Sequence, residues 1–103
     1  MDQSIAVADF LGEDRTRQRF VIRVSIGKPY EAPGKHAWVC PMMVVPLLPR
    51  LASVEGADPL QALCLAIRTA LAIMKDFADA GGSVLHADGT PCPLRTYFPG
   101  EES

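Results

Sequence analysis

The sequence predicts an α+β domain: a mainly antiparallel sheet of three to five strands with one long helix packed on one face. Two observations predict it. Residues Arg19–Ile26 alternate strictly between apolar and polar side chains, which is typical of a strand with one buried face. Residues 59–80 instead repeat their apolar side chains at helical spacing. The length of 103 residues predicts one domain, residues 1–103, around one core.

Five segments are predicted as strands, namely Ser4–Phe10, Arg19–Ile26, Ala37–Val45, Leu51–Glu55 and Ser83–His86. The first two are expected to form an antiparallel hairpin through a turn at Gly12-Glu13-Asp14, because these residues tolerate tight backbone angles. In the first strand, apolar residues occur at both odd and even positions, so the sequence does not decide which face of this strand is buried. Pro41 has no N–H to donate, so the third strand is expected at a sheet edge or with a bulge there.

The helix is expected from Pro59 to about Ala80. Asp58 is a favoured N-cap residue, a proline follows it at the first helical position, and Gln61 completes the capping-box spacing. The glycines at 81 and 82 supply the left-handed residue that commonly ends a helix. The apolar arc of this helix covers about half of its circumference, which is wider than the ~100° stripe that one sheet face requires. The tail, residues 88–103, is expected to be extended with a frayed end.

The chain carries a formal net charge of −2, but residues 15–50 hold seven basic side chains against one acidic side chain. A row of basic side chains along the second strand is a candidate phosphate-binding surface. No aromatic side chains alternate with these arginines for base stacking, and the chain is acidic overall, so nucleic-acid binding is the less favoured alternative. Solvated charges, some paired with Asp9 or Glu13 across the hairpin, explain the same residues. The candidate row is Arg15, Arg17, Arg19 and Arg23.

Three segments carry a resemblance to a known family: Ile26-Gly27-Lys28-Pro29, Trp38-Val39-Cys40-Pro41, and the helix start from Gly56 to Ala66. Together they resemble a family of small bacterial domains of unknown function, whose pattern is a β-meander, a W-x-C-P strand and a G-x-D-x-x-Q-A-L helix start. The resemblance covers roughly residues 19–87. It implies a fold and membership, and no activity or functional residue, because the family has no established activity.

Two His–Cys pairs, His36 with Cys40 and His86 with Cys92, together offer the ligand set that zinc prefers. Positions 36 and 40 of one strand lie ~13 Å apart, however, which is too far to bind one ion. A Cys–His nucleophile needs an orienting third group, and no catalytic motif is present. We therefore predict no catalytic residue, no metal ligand and no cofactor, although enzymatic activity stays open.

The predicted function is non-catalytic protein association in the cytoplasm, with a homodimer as the preferred state. The N-terminus lacks the profile of a signal peptide, no apolar run is long enough to span a membrane, and three cysteines favour reduced thiols. We also expect a protein partner, and we expect no association with a membrane.

The dimer interface is predicted on the helix and on the third strand. Leu65 and Ala72 interrupt the polar face of the helix, so a second helix can approach there. Met42 or Met43 adds an adaptable apolar contact in the third strand. The alternative function is a small-ligand-binding or hydrolytic protein. Its site is expected near Trp38, Cys40 and His86.

Overall fold

The computed structural model describes residues 4–94, which form six strands and one helix. In chain order the elements are β1 (Ser4–Glu13), β2 (Arg19–Gly27), β3 (Tyr30–Ala32), β4 (Ala37–Val45), β5 (Leu48–Gly56), α1 (Pro59–Asp79) and β6 (Ser83–Leu85). The predicted α+β class, one antiparallel sheet with one helix against it, is confirmed. Within these residues, no helix has both the length and the apolar character needed to cross a membrane. The predicted frayed end lies outside the described residues.

All strand pairs of the sheet are antiparallel. β2 lies between β1 and β4, and β5 pairs with the opposite side of β4. β3 continues the line of β2 and pairs with the beginning of β4. β6 pairs with β1, but only with its last three residues, Leu11–Glu13. The sheet therefore runs from β5 through β4, β2 and β1 to the short β6.

β4 is an interior strand, so the expectation that Pro41 marks a sheet edge is wrong. Continuing the register between β2 and β4 sets Gly27 opposite Pro41. Because proline has no N–H, the Gly27 carbonyl accepts a hydrogen bond from the Cys40 thiol, at 3.3 Å from Sγ. β2 ends at this point, and β3 resumes the pairing with β4. The neighbouring β5 also shifts register here, between Met42 and Val44.

β1 continues through Gly12, where the sequence predicts a turn. A Cβ at Gly12 would lie 2.7 Å from the tip of the Phe20 ring, so glycine leaves the space in which this ring packs across the strands. The turn lies at residues 14–18 instead. The Asp14 N–H donates to the Gln18 carbonyl at 3.0 Å, and Asp14 Oδ1 accepts from the N–H groups of Thr16 and Gln18.

The remaining strands differ from their predictions mainly at their ends. β2 and β4 match closely, β5 begins three residues before the predicted Leu51, and β6 ends one residue before the predicted His86. β3 is absent from the prediction, because three residues are too few to show an alternation of side chains.

The core lies between α1 and the sheet face that carries the even-numbered residues of β2 and β4. Small side chains of α1, Ala62, Ala66 and Ala70, recur every four residues and are completely buried, which lets the helix approach the sheet closely. The largest fully buried side chains on the two layers are Ile22, Cys40, Met42, Val44 and Met74. Phe20 and Phe77 close one end of the core with an edge-to-face contact, 5.6 Å between ring centroids.

Both predicted ends of α1 are confirmed. Asp58 Oδ1 accepts from the Gln61 N–H at 2.8 Å, and the Gln61 side chain reaches back to the Ala57 N–H at 2.6 Å. At the other end, Gly81 takes the left-handed conformation with φ +108°. Arg15 Nε donates to the Ala80 carbonyl at 2.9 Å, which places a positive charge at the negative end of the helix dipole.

Substitution of the N-cap tests this account of the helix. Asp58→Ala removes the acceptor of the Gln61 N–H, so we expect the free energy of unfolding to fall by about 1 kcal/mol in urea denaturation. The matched control is Asp79→Ala at the last residue of the same helix. Its exposed pair with Lys75 should contribute less than about 0.5 kcal/mol. Equal losses in the two variants would contradict the capping role.

Candidate functional site

The residues of the predicted ligand-binding or hydrolytic site do not come together. Trp38 and Cys40 lie on β4, whereas His86 follows β6, three strand positions away and ~14 Å at ordinary strand spacing. Cys40 is completely buried, and its thiol is held by the Gly27 carbonyl. Burial raises the pKa of the Cys40 thiol, which keeps it in the unreactive neutral form.

Among the described residues 4–94, the candidate His–Cys set is not brought together. His36 and His86 are exposed on loops, whereas Cys40 and Cys92 are buried. Among residues 4–94, no three side chains of the His, Cys, Asp and Glu types lie close enough to hold one ion.

Two of the four arginines in the candidate row, Arg19 and Arg23, pair with acidic residues. Arg23 binds Asp9 with two parallel hydrogen bonds, of 2.8 and 2.9 Å, and holds the pKa of that carboxyl below its usual range. Arg19 pairs with Glu13 at 3.0 Å, so the predicted pairing across the hairpin is confirmed. Arg15 contacts the end of α1, and Arg17 lies in the turn. This arrangement does not present four free charges to a phosphate backbone.

The four residues predicted for the dimer interface lie on three different parts of the molecule. Met42 is completely buried between the sheet and α1, so its assignment to an interface is contradicted. Met43 is half-buried on the opposite face of the sheet. Leu65 and Ala72 are exposed on the side of α1 that points away from the sheet. These positions do not form one surface.

A different surface is open to a partner, namely the outer edge of β1. β2 pairs with β1 along its whole length, but β6 covers only the segment Leu11–Glu13. Beyond it the chain turns away, since the His86 N–H donates to the Thr90 carbonyl and closes a tight loop. Along Ile5–Phe10, no residue of the described range 4–94 pairs with this outer edge.

The antiparallel ladder determines which backbone groups point into the open edge. The Asp14 N–H donates to the Gln18 carbonyl, so the even-numbered residues of β1 bond to β2. Odd-numbered residues point the opposite way. Among them Leu11 meets β6, whereas Val7 and Asp9 direct their N–H and C=O groups to an edge that no described residue occupies.

The open segment is also exposed on both faces of the sheet. Ile5 and Val7 are 53% and 55% exposed, and Ala6 and Ala8 are exposed on the helix side. The reason is the placement of α1, which packs mainly on β4 and β5. Asp9 provides the one charge of the segment, and Arg23 neutralises it. The result is an apolar segment, Ile5–Phe10, whose outward backbone groups have no partner among residues 4–94.

The outer edges of β5 and β6 carry protection that this segment lacks. β5 contains Pro49, Arg50 and a register shift, which are recognised ways of blocking the addition of a strand. β6 is only three residues long, and its outer side receives a hydrogen bond from the Cys92 N–H to the Val84 carbonyl. β1 has a register shift at its start, between Ser4 and Ala6, but no proline or lysine.

Comparison with known proteins adds no assignment. No protein-family model, curated protein or solved structure matches this chain. The resemblance to small bacterial domains therefore stays a prediction, and the open edge of β1 is the candidate site on geometry alone.

The thiols provide a direct test of the described environment. Cys64 is exposed on α1, whereas Cys40 and Cys92 are buried. At pH 8, a disulfide reagent should therefore react rapidly with one thiol per chain and with the other two only after unfolding. Cys64→Ser should remove the rapid phase, and Cys92→Ser should leave it unchanged. A second rapid thiol in the native protein would contradict the buried, neutral state of Cys40.

Proposed function

We propose that this chain is a non-catalytic protein that acts through protein association, with the open edge of β1 as its docking element. An extended strand from a protein partner adds to this edge and accepts and donates hydrogen bonds at Val7 and Asp9. The observation that carries the proposal is that the outward backbone groups of an apolar, doubly exposed strand have no partner in residues 4–94. A homodimer is the favoured assembly.

The proposed location is the cytoplasm, where reducing conditions keep thiols free. The three free cysteines, Cys40, Cys64 and Cys92, support this proposal. One of them is exposed, and an exposed thiol is readily oxidised in an oxidising compartment.

The affinity of an added strand depends on its hydrogen bonds, its apolar contacts and the cost of association. Val7 and Asp9 provide four backbone hydrogen bonds, each with a net value of about 0.5–1.5 kcal/mol. Covering half-exposed apolar side chains such as Ile5 and Val7 adds on the order of 1 kcal/mol each. Association itself costs at least about 4 kcal/mol. A single added strand therefore binds weakly, and a stable complex needs contacts beyond the strand.

A synthetic peptide that copies residues 4–10 tests strand addition directly. Added at millimolar concentration to isotopically labelled protein that carries Ile67→Lys on the exposed flank of α1 to keep it monomeric, it should shift the amide resonances of Val7 and Asp9 and slow their hydrogen exchange. The matched control is the same peptide with proline in place of its central valine, which lacks the N–H for the ladder. Shifts centred on the sheet face around Met43, or no shifts at all, would overturn the proposal.

The protein variant Val7→Pro gives the complementary test. The N–H of Val7 points to the open edge and not to β2, so its loss should leave the β1–β2 ladder and the far-UV spectrum intact. Peptide binding should fall at least tenfold. Ala8→Pro is the contrast, because it removes an N–H directed at β2 and should lower the melting temperature. Full peptide binding by folded Val7→Pro would contradict the assigned direction of these groups.

A further inference from the structure

We infer that the strand that fills the open edge is β1 of a second copy of this chain, paired antiparallel about a two-fold axis at Val7, with α1 of both copies on the same face of the joined sheet. This inference rests on the proposed association at the edge of β1. It adds the identity of the partner, the register of the pairing and a second layer of contact.

The direction of the backbone groups restricts the register. From Ala6 to Glu13, where the pairing with β2 is regular, only the odd-numbered residues of β1 point outward, so a symmetric ladder must pair odd with odd residues. An axis at Val7 pairs this residue with its own copy and sets Ile5 opposite Asp9 of the second copy. An axis at Ala8 would set Ile5 opposite Leu11, whose outward groups already bond to β6. An axis at Ala6 would bring only Ile5 and Val7 into the ladder.

Charge does not oppose this pairing. Asp9 is the one charged residue of the segment 4–10, and Arg23 of the same copy holds both of its carboxylate oxygens. With the axis at Val7, the two Asp9 side chains lie four residues apart along the joined strands, ~14 Å at ordinary strand rise. The centre of the seam is formed by valine and alanine side chains only.

The helix supplies the second layer. β5 and β6 run parallel and α1 connects them, a crossover that is right-handed in nearly all proteins. With this hand, the flank of α1 that turns toward β1 carries Leu60, Ile67 and Leu71. Exposure along it decreases from 69% at Leu60 to 40% at Ile67 and 8% at Leu71, as the helix crosses toward β6. The exposed part of the flank lies on the side of the open edge.

The area required for a stable dimer shows why both layers are needed. Five residues of strand edge are ~17 Å long and ~10 Å deep, roughly 170 Å² per copy, whereas standard interfaces begin near 600 Å² per partner. A two-fold axis perpendicular to the sheet turns the flanks of both helices toward the seam. The small side chains Ala6 and Ala8 leave space between them. A lone peptide strand would cover the edge and leave Leu60 and Ile67 exposed to water.

Disulfide trapping tests the register. In a Cys64→Ser background, Val7→Cys should form a cross-linked dimer under mild oxidation, because directly opposed residues of an antiparallel pair have Cα atoms about 5.5 Å apart. Val21→Cys is the matched control: Val21 is 56% exposed on the same face of the sheet, but it lies on β2, one strand away from the seam. Equal cross-linking of both variants would overturn the register.

Sedimentation at micromolar concentration tests the partner and the helix layer. Wild-type protein should show twice the 11.1 kDa mass of one chain. Ile67→Lys should raise the dimer dissociation constant at least tenfold. Leu65→Lys, at nearly equal exposure but on the side of α1 away from the sheet, should leave it unchanged. A larger rise in the dissociation constant for Leu65→Lys than for Ile67→Lys would overturn the proposed helix contact. If the protein is monomeric but still binds the peptide of residues 4–10, only the inference that the partner is a second copy is overturned. If it neither dimerises nor binds the peptide, the proposed function is overturned too.

Discussion

The structure depends on one mismatch of dimensions: a single helix must cover a sheet that is wider than the helix. α1 has 21 residues and is therefore ~32 Å long, but only about 10 Å wide. Five strand positions span ~19 Å between the outer strand axes. The helix covers more of this width by crossing the sheet obliquely from β5 to β6. Alanines at its centre bring it close to β4 and β2. Within residues 4–94 nothing covers the corner above the beginning of β1, and the open edge and the exposed flank of α1 both border it.

Pairing within the sheet follows from what single residues can and cannot donate. Pro41 withholds an N–H from the ladder in the interior of the sheet, and the Cys40 thiol replaces it at the Gly27 carbonyl. The same thiol had suggested a catalytic or metal-binding role by its type alone. Its burial and its hydrogen bond explain it as part of the ladder, which is why the geometry removes the site expected near Trp38 and His86.

Local signals made much of the fold predictable. The cap at Asp58, the glycines after α1 and the alternation in β2 act within a few residues, and each prediction based on them is confirmed. Pairing partners are set across the chain and could not be predicted in this way. Met42 and Met43 show the difference: alternation requires one of them to face the core, but only the register with Ile26 decides that it is Met42. The open edge did leave a signal: apolar residues of both parities are typical of a strand that is covered on both faces, yet Ile5–Ala8 are exposed on both faces among the described residues 4–94.

An apolar edge without a proline or lysine invites the addition of any extended chain, so its occupant must satisfy more than the backbone. The exposed flank of α1 needs apolar cover on the same side of the sheet and faces toward the added strand. The proposed second copy would supply the strand and the flank together, because a two-fold axis perpendicular to the sheet keeps both helices on the same face. A different partner would have to combine an extended apolar strand with a separate apolar layer at a fixed height above it. The symmetric pairing meets both needs with residues that the chain already has, and it leaves the pair between Asp9 and Arg23 undisturbed.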